Sequence, residues 1–392
     1  MRAWSLLAWT ALLSACGGGG GDAGAPINTL GTLRLSLADA PACGMSKVFV
    51  TVQRVRVHTS SSAGENDGGW VDITPAAPLR VDLLTLTNGT LAALGEARLP
   101  AGSYQQLRLV LAENGGATPL ANAVVPAGAT SELELETPSA LQSGLKINTA
   151  ITVAAGQVAD WAIDFDACKS IVKAGNSGRY LLKPVLTALP LLGDAGQRVV
   201  GFVDSALAHG AATVSVQQNG LPLRATPTDA SGKFVLYPVP AGNYQLVISA
   251  NGRATAVMNG VPVTTTAITT LGGEAARLIP PASAMAELSG VITLNGQVTS
   301  TSGSVRALQN LSGGPAVEAA YAAADASTGR YTLRLPTAAP VQLAYQAGAT
   351  SFPWAPSVSE AGKYKLEAKA GDKPVQSFDL TLTGNAVKDF SF

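Results

Sequence analysis

The feature that most constrains this chain is its rhythm: short runs alternate apolar and polar residues, and glycine or proline soon interrupts each run. Leu33, Leu35 and Leu37 alternate with Thr32, Arg34 and Ser36, the pattern of a strand with one face buried. Val48, Val50 and Val52 face one way, whereas Val55 and Val57 have the opposite parity. Either a bulge near Gln53-Arg54 resets the register or the strand is covered on both faces. Glu65-Asn66-Asp67-Gly68-Gly69 before Trp70 reads as the loop of a hairpin. With 42 glycines and 23 prolines in 392 residues, long helices are excluded and the fold class is all-β. Further strands are expected at 107–111, 133–135, 145–153, 161–165 and 180–186. The 81–94 stretch is read as one short helix or turn, because Asn88-Gly89 interrupts it.

Charged residues make up 13% of the chain, against roughly 25% in ordinary soluble proteins. The 26 basic and 26 acidic residues cancel, so no basic surplus exists to draw nucleic acid or anionic lipid, and nucleic acid is set aside as a partner.

The first sixteen residues have a different logic. One arginine, Arg2, precedes a short apolar run, and small residues lead to Cys16, the layout of a secretory leader too short to span a membrane. Leu13-Ser14-Ala15-Cys16 resembles the lipobox of bacterial lipoproteins, which implies that Cys16 is lipidated and becomes the first residue after cleavage. The partner implied is a membrane, reached through the lipid anchor. Gly17, in place of aspartate, favours the outer membrane on the same resemblance. Residues 17–30, opening on an unbroken Gly17–Gly21 run, form a tether with a reach of roughly 20 Å. A G-x-G-x-x-G match at Gly19, Gly21 and Gly24 lacks the flanking strand and helix of a dinucleotide site.

Of three cysteines, Cys16 is assigned to lipid. Cys43 and Cys168 remain, an even pair that in an oxidising compartment reads as one disulfide. A loop of that length gives about 4–5 kcal/mol on the chain-entropy model. A two-cysteine metal site lacks partners, since the only histidines, His58 and His209, fall in different domains.

Three folded units are expected: a β-rich domain over 31–189 and two small antiparallel β-sandwiches over 198–280 and 286–392. The first carries Leu33-x-Leu35-x-Leu37-x-Asp39-Ala40-Pro41, Val48-Phe49-Val50-Thr51-Val52, Val81-Asp82-Leu83-Leu84-x-Leu86 and Pro100-Ala101-Gly102-x-Tyr104-x-Gln106-Leu107-Arg108-Leu109. On these it resembles an uncharacterised lipoprotein family, domain of unknown function 4382, which implies a module and no activity. Asp229-Ala230-Ser231-Gly232-Lys233-Phe234-Val235-Leu236 recurs as Asp325-Ala326-Ser327-Thr328-Gly329-Arg330-Tyr331-Thr332-Leu333, a turn leading into a strand in each case. With Val239-Pro240-Ala241-Gly242-Asn243-Tyr244, the second unit resembles carboxypeptidase regulatory-like, transthyretin-type sandwiches. The third departs from that pattern at Thr337-Ala338-Ala339-Pro340-Val341. Related adhesin sandwiches carry Lys–Asn crosslinks, but Lys233 is the second unit's only lysine and sits at a turn, so none is expected there.

No catalytic motif emerges. Ser143-Gly144-Leu145-Lys146 matches S-x-x-K, but it leads into a strand without its companion motifs. Neither G-x-S-x-G nor H-E-x-x-H occurs. Asp160, Asp164 and Asp166 share one strand parity and are expected to form an exposed acidic edge. A calcium site there would need oxygens from the Glu65–Asp67 loop. Asp39 and Asp82 are candidate ligand or turn-capping residues. His58 is the first unit's only conceivable base, with Asp39 or Asp82 as its orienter. Trp70, Trp161 and Trp354 suit either a core or sugar stacking. No cofactor is implied. The expectation is a membrane-anchored envelope module that binds or scaffolds without catalysis, with a glycan or envelope protein as partner. The alternatives are a periplasmic enzyme or accessory acting on carbohydrate or peptidoglycan, and a fimbria-like or adhesion subunit marked by exposed strand edges.

Overall fold

In the computed structural model, residues 29–39, 44–138, 143–193, 195–298 and 303–392 are described; Cys16, Cys43 and residues 17–28 of the expected tether lie outside them, whereas Leu30, expected in the tether, opens the first strand. The described chain is almost entirely strand, as the alternation requires, and is arranged in three units with separate apolar cores.

In the first unit a four-stranded and a nine-stranded sheet enclose one core. Leu30–Asp39 runs parallel to Val158–Phe165 and antiparallel to Ala92–Pro100. Met45–His58 is the central strand of the larger sheet, and its register shifts between Val52 and Arg54. That bulge carries Val48, Val50, Val52, Val55 and Val57 into the same core, all fully buried. The hairpin is present too, with Val71–Ile73 antiparallel to Val55–Val57. The single strand expected over 180–186 is instead two strands in different sheets, Arg179–Leu182 and Leu186–Pro190. Pro184 cannot donate to a ladder, and Ser170 accepts at the break through its carbonyl from Lys183 N and through its hydroxyl from Val185 N.

The second unit stacks Lys233–Leu236, Val199–Phe202 and Thr269–Leu271 against a larger sheet containing Leu221–Pro227, Ala212–Gln218, Gly242–Ala250 and Ala256–Val263. Two more strands complete that larger sheet, and they come from beyond the expected boundary. Val341–Ala344 pairs in parallel with Ala256–Asn259, and Ala355–Pro356 pairs with Val341–Gln342. Val341 is buried in the second unit's core, with Tyr345, Phe352 and Trp354 packed around it. The 286–392 segment is therefore not one self-contained sandwich. The third unit's sheets are built from Met285–Leu294, Arg330–Pro336 and the C-terminal strands on one side, and from Ala316–Ala323, Gly303–Asn310, Lys363–Ala370 and Gln376–Thr381 on the other. The chain leaves it at Thr337, where the sequence departs from the Pro-Ala-Gly-x-Tyr pattern.

That pattern has one physical meaning in both units that carry it. Tyr104 Oη donates to Pro100 O at 2.9 Å, and Tyr244 Oη donates to Pro240 O at 2.8 Å. Each hydroxyl reaches back four residues to fix the turn entering a strand, a tyrosine corner. In the third unit Tyr364 Oη donates instead to the distant Pro336 O.

Candidate binding cleft at the junction of the three units

Several charged residues of this weakly charged chain, most of them half-buried or buried, meet where the three units join. Asp164 was expected on an exposed acidic edge; it is 7% exposed and ion-paired with Arg224, itself 3% exposed, on Leu221–Pro227 of the second unit. The strand's second face is covered by another unit, which parity within one strand does not reveal. Asp39, fully buried, sits one register position along and accepts a hydrogen bond from Ala167 N at 3.1 Å. Burial pushes the Arg224 guanidinium down to about 10, with Asp39 opposing the shift.

Asp166 caps the one-turn helix Ala167–Ser170 by accepting from Lys169 N at 3.0 Å. The Lys169 ammonium lies 3.5 Å from Asp166 and 3.7 Å from Glu318 of the third unit. Arg306 stands 3.7 Å from the other Glu318 oxygen and 2.6 Å from Glu367. Burial raises the Glu318 pKa, against the pull of Lys169 and Arg306. Asp160 pairs with Arg34 and belongs to neither group. Gln217 makes both a donor and an acceptor bond to the Glu318 backbone, at 2.9 and 2.8 Å. Its amide thus stands in for a neighbouring strand along Ala316–Ala323.

Two further contacts lock the units. Asn88 bonds Thr226, Pro227 and Val235 of the second unit. Asp325, at the repeated turn, bonds Ser327 and Thr328 with one oxygen and Gly175 N of the first unit at 2.7 Å with the other. A side chain at Gly175, whose φ is +61°, would collide with the Ser327 hydroxyl.

Between these contacts lies a cavity of about 280 Å³ lined by Asp164, Asp166, Lys169, Arg224, Glu318 and Tyr321. It shares Thr213, Ser249 and Ala319 with a second cavity of about 450 Å³, at whose far end stand Arg253 and Arg334. The two form one cleft between the second and third units, with hydroxyls and alanines along it.

The remaining candidates have structural placements. Asp82 Oδ1 accepts from Leu84 N and Val48 N, capping the 3₁₀ turn Leu83–Thr85. His58 Nδ1 accepts from Ser60 N at 2.9 Å, so Nε2 carries the proton and donates to Gly68 O at 2.9 Å. Neither Asp39 nor Asp82 orients it. Lys146 is exposed on Leu145–Val153, and Ser143 precedes that strand, not a helix. Trp70 is held between the Arg56 and Arg108 guanidiniums, 4.9 and 5.0 Å from its ring, while Trp161 and Trp354 pack against cores. Among the described residues no group of His, Cys, Asp and Glu is placed to hold a metal, and the Glu65–Asp67 loop does not join the aspartates. Among them, too, no helix is long and apolar enough to cross a membrane. Cys168 lies in the one-turn helix and is disulfide-bonded. Its expected partner Cys43 falls outside the described residues.

Sequence reading missed Arg224, Gln217, Arg306 and Glu318. A signal was present: Arg224 in Leu221-Pro-Leu-Arg-Ala-Thr and Glu318 in Ala316-Val-Glu-Ala-Ala-Tyr are lone charges inside otherwise apolar strands.

The fold thus defines an all-β protein of three sandwich-like units with a polar cleft at their junction. Within its first unit, residues 30–184 match the family model described as Domain of unknown function (DUF4382). No curated protein matches the chain. Among solved structures, a type II cohesin–X-dockerin complex from Acetivibrio cellulolyticus is 23% identical over 22% of this chain and 59% of that one, at a TM-score of 0.19. The Bacillus anthracis TIE protein is 13% identical over 93% of this chain and 51% of that one, at 0.18. The Corynebacterium diphtheriae major pilin SpaA is 8% identical over 92% and 99%, at 0.20. The chain therefore spans only 59% and 51% of the first two. TM-scores this low assign no function.

Proposed function

We propose that this chain is a lipid-anchored envelope protein whose folded part binds or scaffolds without catalysing a reaction. His58 carries the non-catalytic half of the reading. Both ring nitrogens are engaged by backbone, and no carboxylate orients the ring, so a nucleophile would find neither a free base nor a third group. The leader ending at Cys16 and the glycine tether support the anchored half, with the outer membrane as the expected location. The second unit's tyrosine corner and Asp229 turn support the carboxypeptidase regulatory-like assignment. The test pairs binding and turnover on a soluble form beginning at Thr29, against esters, glycosides and peptidoglycan fragments. Saturable binding without turnover is expected. Turnover abolished by His58→Ala in a protein still folded by circular dichroism would overturn the reading. An adhesion-subunit role has one observation in its favour: Gln376–Thr381 is an edge strand with Phe378 exposed. That role predicts concentration-dependent self-association, which Phe378→Lys abolishes in analytical ultracentrifugation.

A further inference from the structure

Where the first unit meets the second, away from the cleft, one cation lacks an acceptor. Arg198 immediately precedes the strand Val199–Phe202, and its guanidinium lies 4.2 Å from the centre of the Tyr237 ring. Its Nε is shut off from water, and among the described residues no oxygen bonds it and no carboxylate pairs with it. Arg224, Arg253 and Arg306, also buried or half-buried, each hold a carboxylate. A guanidinium does not shed its proton, so a donor kept from water is costly until an oxygen reaches it.

Arg198 lines a cavity of about 300 Å³ together with Arg34, Ser36, Asp160 and Tyr237. Glu96 and Asp160 both turn to Arg34, at 3.0 and 3.6 Å. The two arginines and two carboxylates cancel in sum, so the site is marked by a missing contact and not by surplus charge. Its walls are fixed. Gln197, 1% exposed, accepts from Leu192 N at 2.6 Å and donates to Pro190 O at 3.0 Å, which pins the connecting segment beside Arg198. Leu191 N donates to Asp160 O at 2.8 Å. On the facing side Asn88 is bonded to Thr226, Pro227 and Val235, and Gly89 packs against Val235 and Tyr237.

We propose that this cavity binds a small oxyanion, a carboxylate or phosphate group, through the Arg198 fork. Nε and one terminal nitrogen of a guanidinium present two parallel donors, which match two oxygens of one carboxylate or phosphate. The Ser36 hydroxyl lines the same cavity and can donate as well. Asp160 in the wall repels negative charge, so a monoanion is favoured over a dianion. A cavity of about 300 Å³ stands at the small end of ligand pockets and suits an acid of few heavy atoms. The inference rests on the binding reading above and adds a site and a ligand class to it.

The probes are sodium acetate and sodium phosphate, titrated at constant ionic strength into the soluble form beginning at Thr29, which keeps all three units. Binding is read by calorimetry and by the Arg198 Nε–H resonance, which moves when an oxygen accepts from it. Both anions are expected to saturate, acetate the more tightly at a pH where phosphate is a dianion. Arg198→Gln weakens binding about tenfold or more, the change that ~1.4 kcal/mol produces. Arg198→Lys keeps the charge without the fork and falls between, whereas Asp160→Asn strengthens binding. Retention on phosphatidylglycerol vesicles that Arg198→Gln abolishes would trace the oxyanion to a lipid headgroup; free-anion binding without retention traces it to a soluble acid. Asp194 stands four residues before Arg198 in sequence, outside the described residues. Saturation seen only in Asp194→Asn would mean that the chain's own carboxylate takes the place, and overturns the proposal. So does absence of saturation by either readout at millimolar anion, which leaves the broader binding reading to its glycan and peptidoglycan panel.

Discussion

At the scale of single residues, the side chains that mark the first unit's family resemblance are latches. Asp82 ties the 3₁₀ turn to Val48, Tyr104 fixes its corner, and Gln106 and Arg108 hold the Ser60–Ala63 loop through Ser61 O at 2.9 Å and Ala63 O at 2.8 Å. Their types were legible in the sequence, and their partners were not, because most of those partners are backbone groups brought near by the fold. Removing the hydroxyl in Tyr244→Phe should cost about 1 kcal/mol, read as a shifted denaturation midpoint at unchanged slope. Arg224→Ala should cost more, about 3–5 kcal/mol, because it leaves Asp164 buried without its counter-charge. Pairing it with Asp164→Asn should recover part of that loss. The two repeated turns bear on pH. Burial pushes Asp229 and Asp325 up, but hydrogen bonds from Ser231 and Lys233, and from Ser327, Thr328 and Gly175, outweigh it and leave both carboxyls below their ordinary value. Groups with lowered folded pKa stabilise above the unfolded value and lose that contribution as pH falls through the folded one. Acid should therefore loosen these turns only as pH falls below the ordinary carboxylate range, seen as faster amide exchange at Ser231 and Ser327.

At the scale of elements, strand alternation carried the fold class, and the mixed parity of five valines left either a bulge near Gln53 or a strand covered on both faces, of which the structure has the bulge. It did not carry the two-strand split around Pro184, and it misplaced Asp164, because alternation reports that one face is buried without naming what covers the other. The excursion after Thr337 was visible only as a missing motif. Val341 is buried in the second unit's core while belonging in sequence to the third. Val341→Ala should thus destabilise the second unit by about 2 kcal/mol, from lost methyl burial plus a residual cavity. Amide exchange at Leu246 and Met258 would report it, with Leu366 in the third unit changing less. Equal protection at all three sites in the variant and the parent would count against the shared core.

For the molecule as a whole, buried ion pairs and the crossing strand make the units interdependent. Unfolding of the described body should be one coupled transition, and a fragment over 195–283 should melt lower than the same unit within the full chain. Lipidation at Cys16 predicts that Cys16→Ser releases the protein from membranes on cell fractionation. The Cys43–Cys168 pairing predicts one linked peptide in non-reduced mapping. The Asp39 carboxylate accepts from Ala167 N, so the strand that precedes the Cys43 segment in sequence ends beside the helix that carries Cys168. Free thiols at both positions in protein isolated from an oxidising compartment would exclude that pairing.

The strand that crosses at Val341 also sets an order of assembly. A chain emerging from its N-terminus presents Ala256–Val263 long before Pro356 has appeared, and until then that strand's outer rim has no mate within the same molecule. Crowded nascent copies each hold such a rim together with the segment that fits it. Reciprocal exchange of Val341–Ala344 between two chains would satisfy both without a single new contact type. High-level expression should therefore yield an interlocked dimer alongside the monomer, persistent on dilution because separating the two copies requires opening both cores.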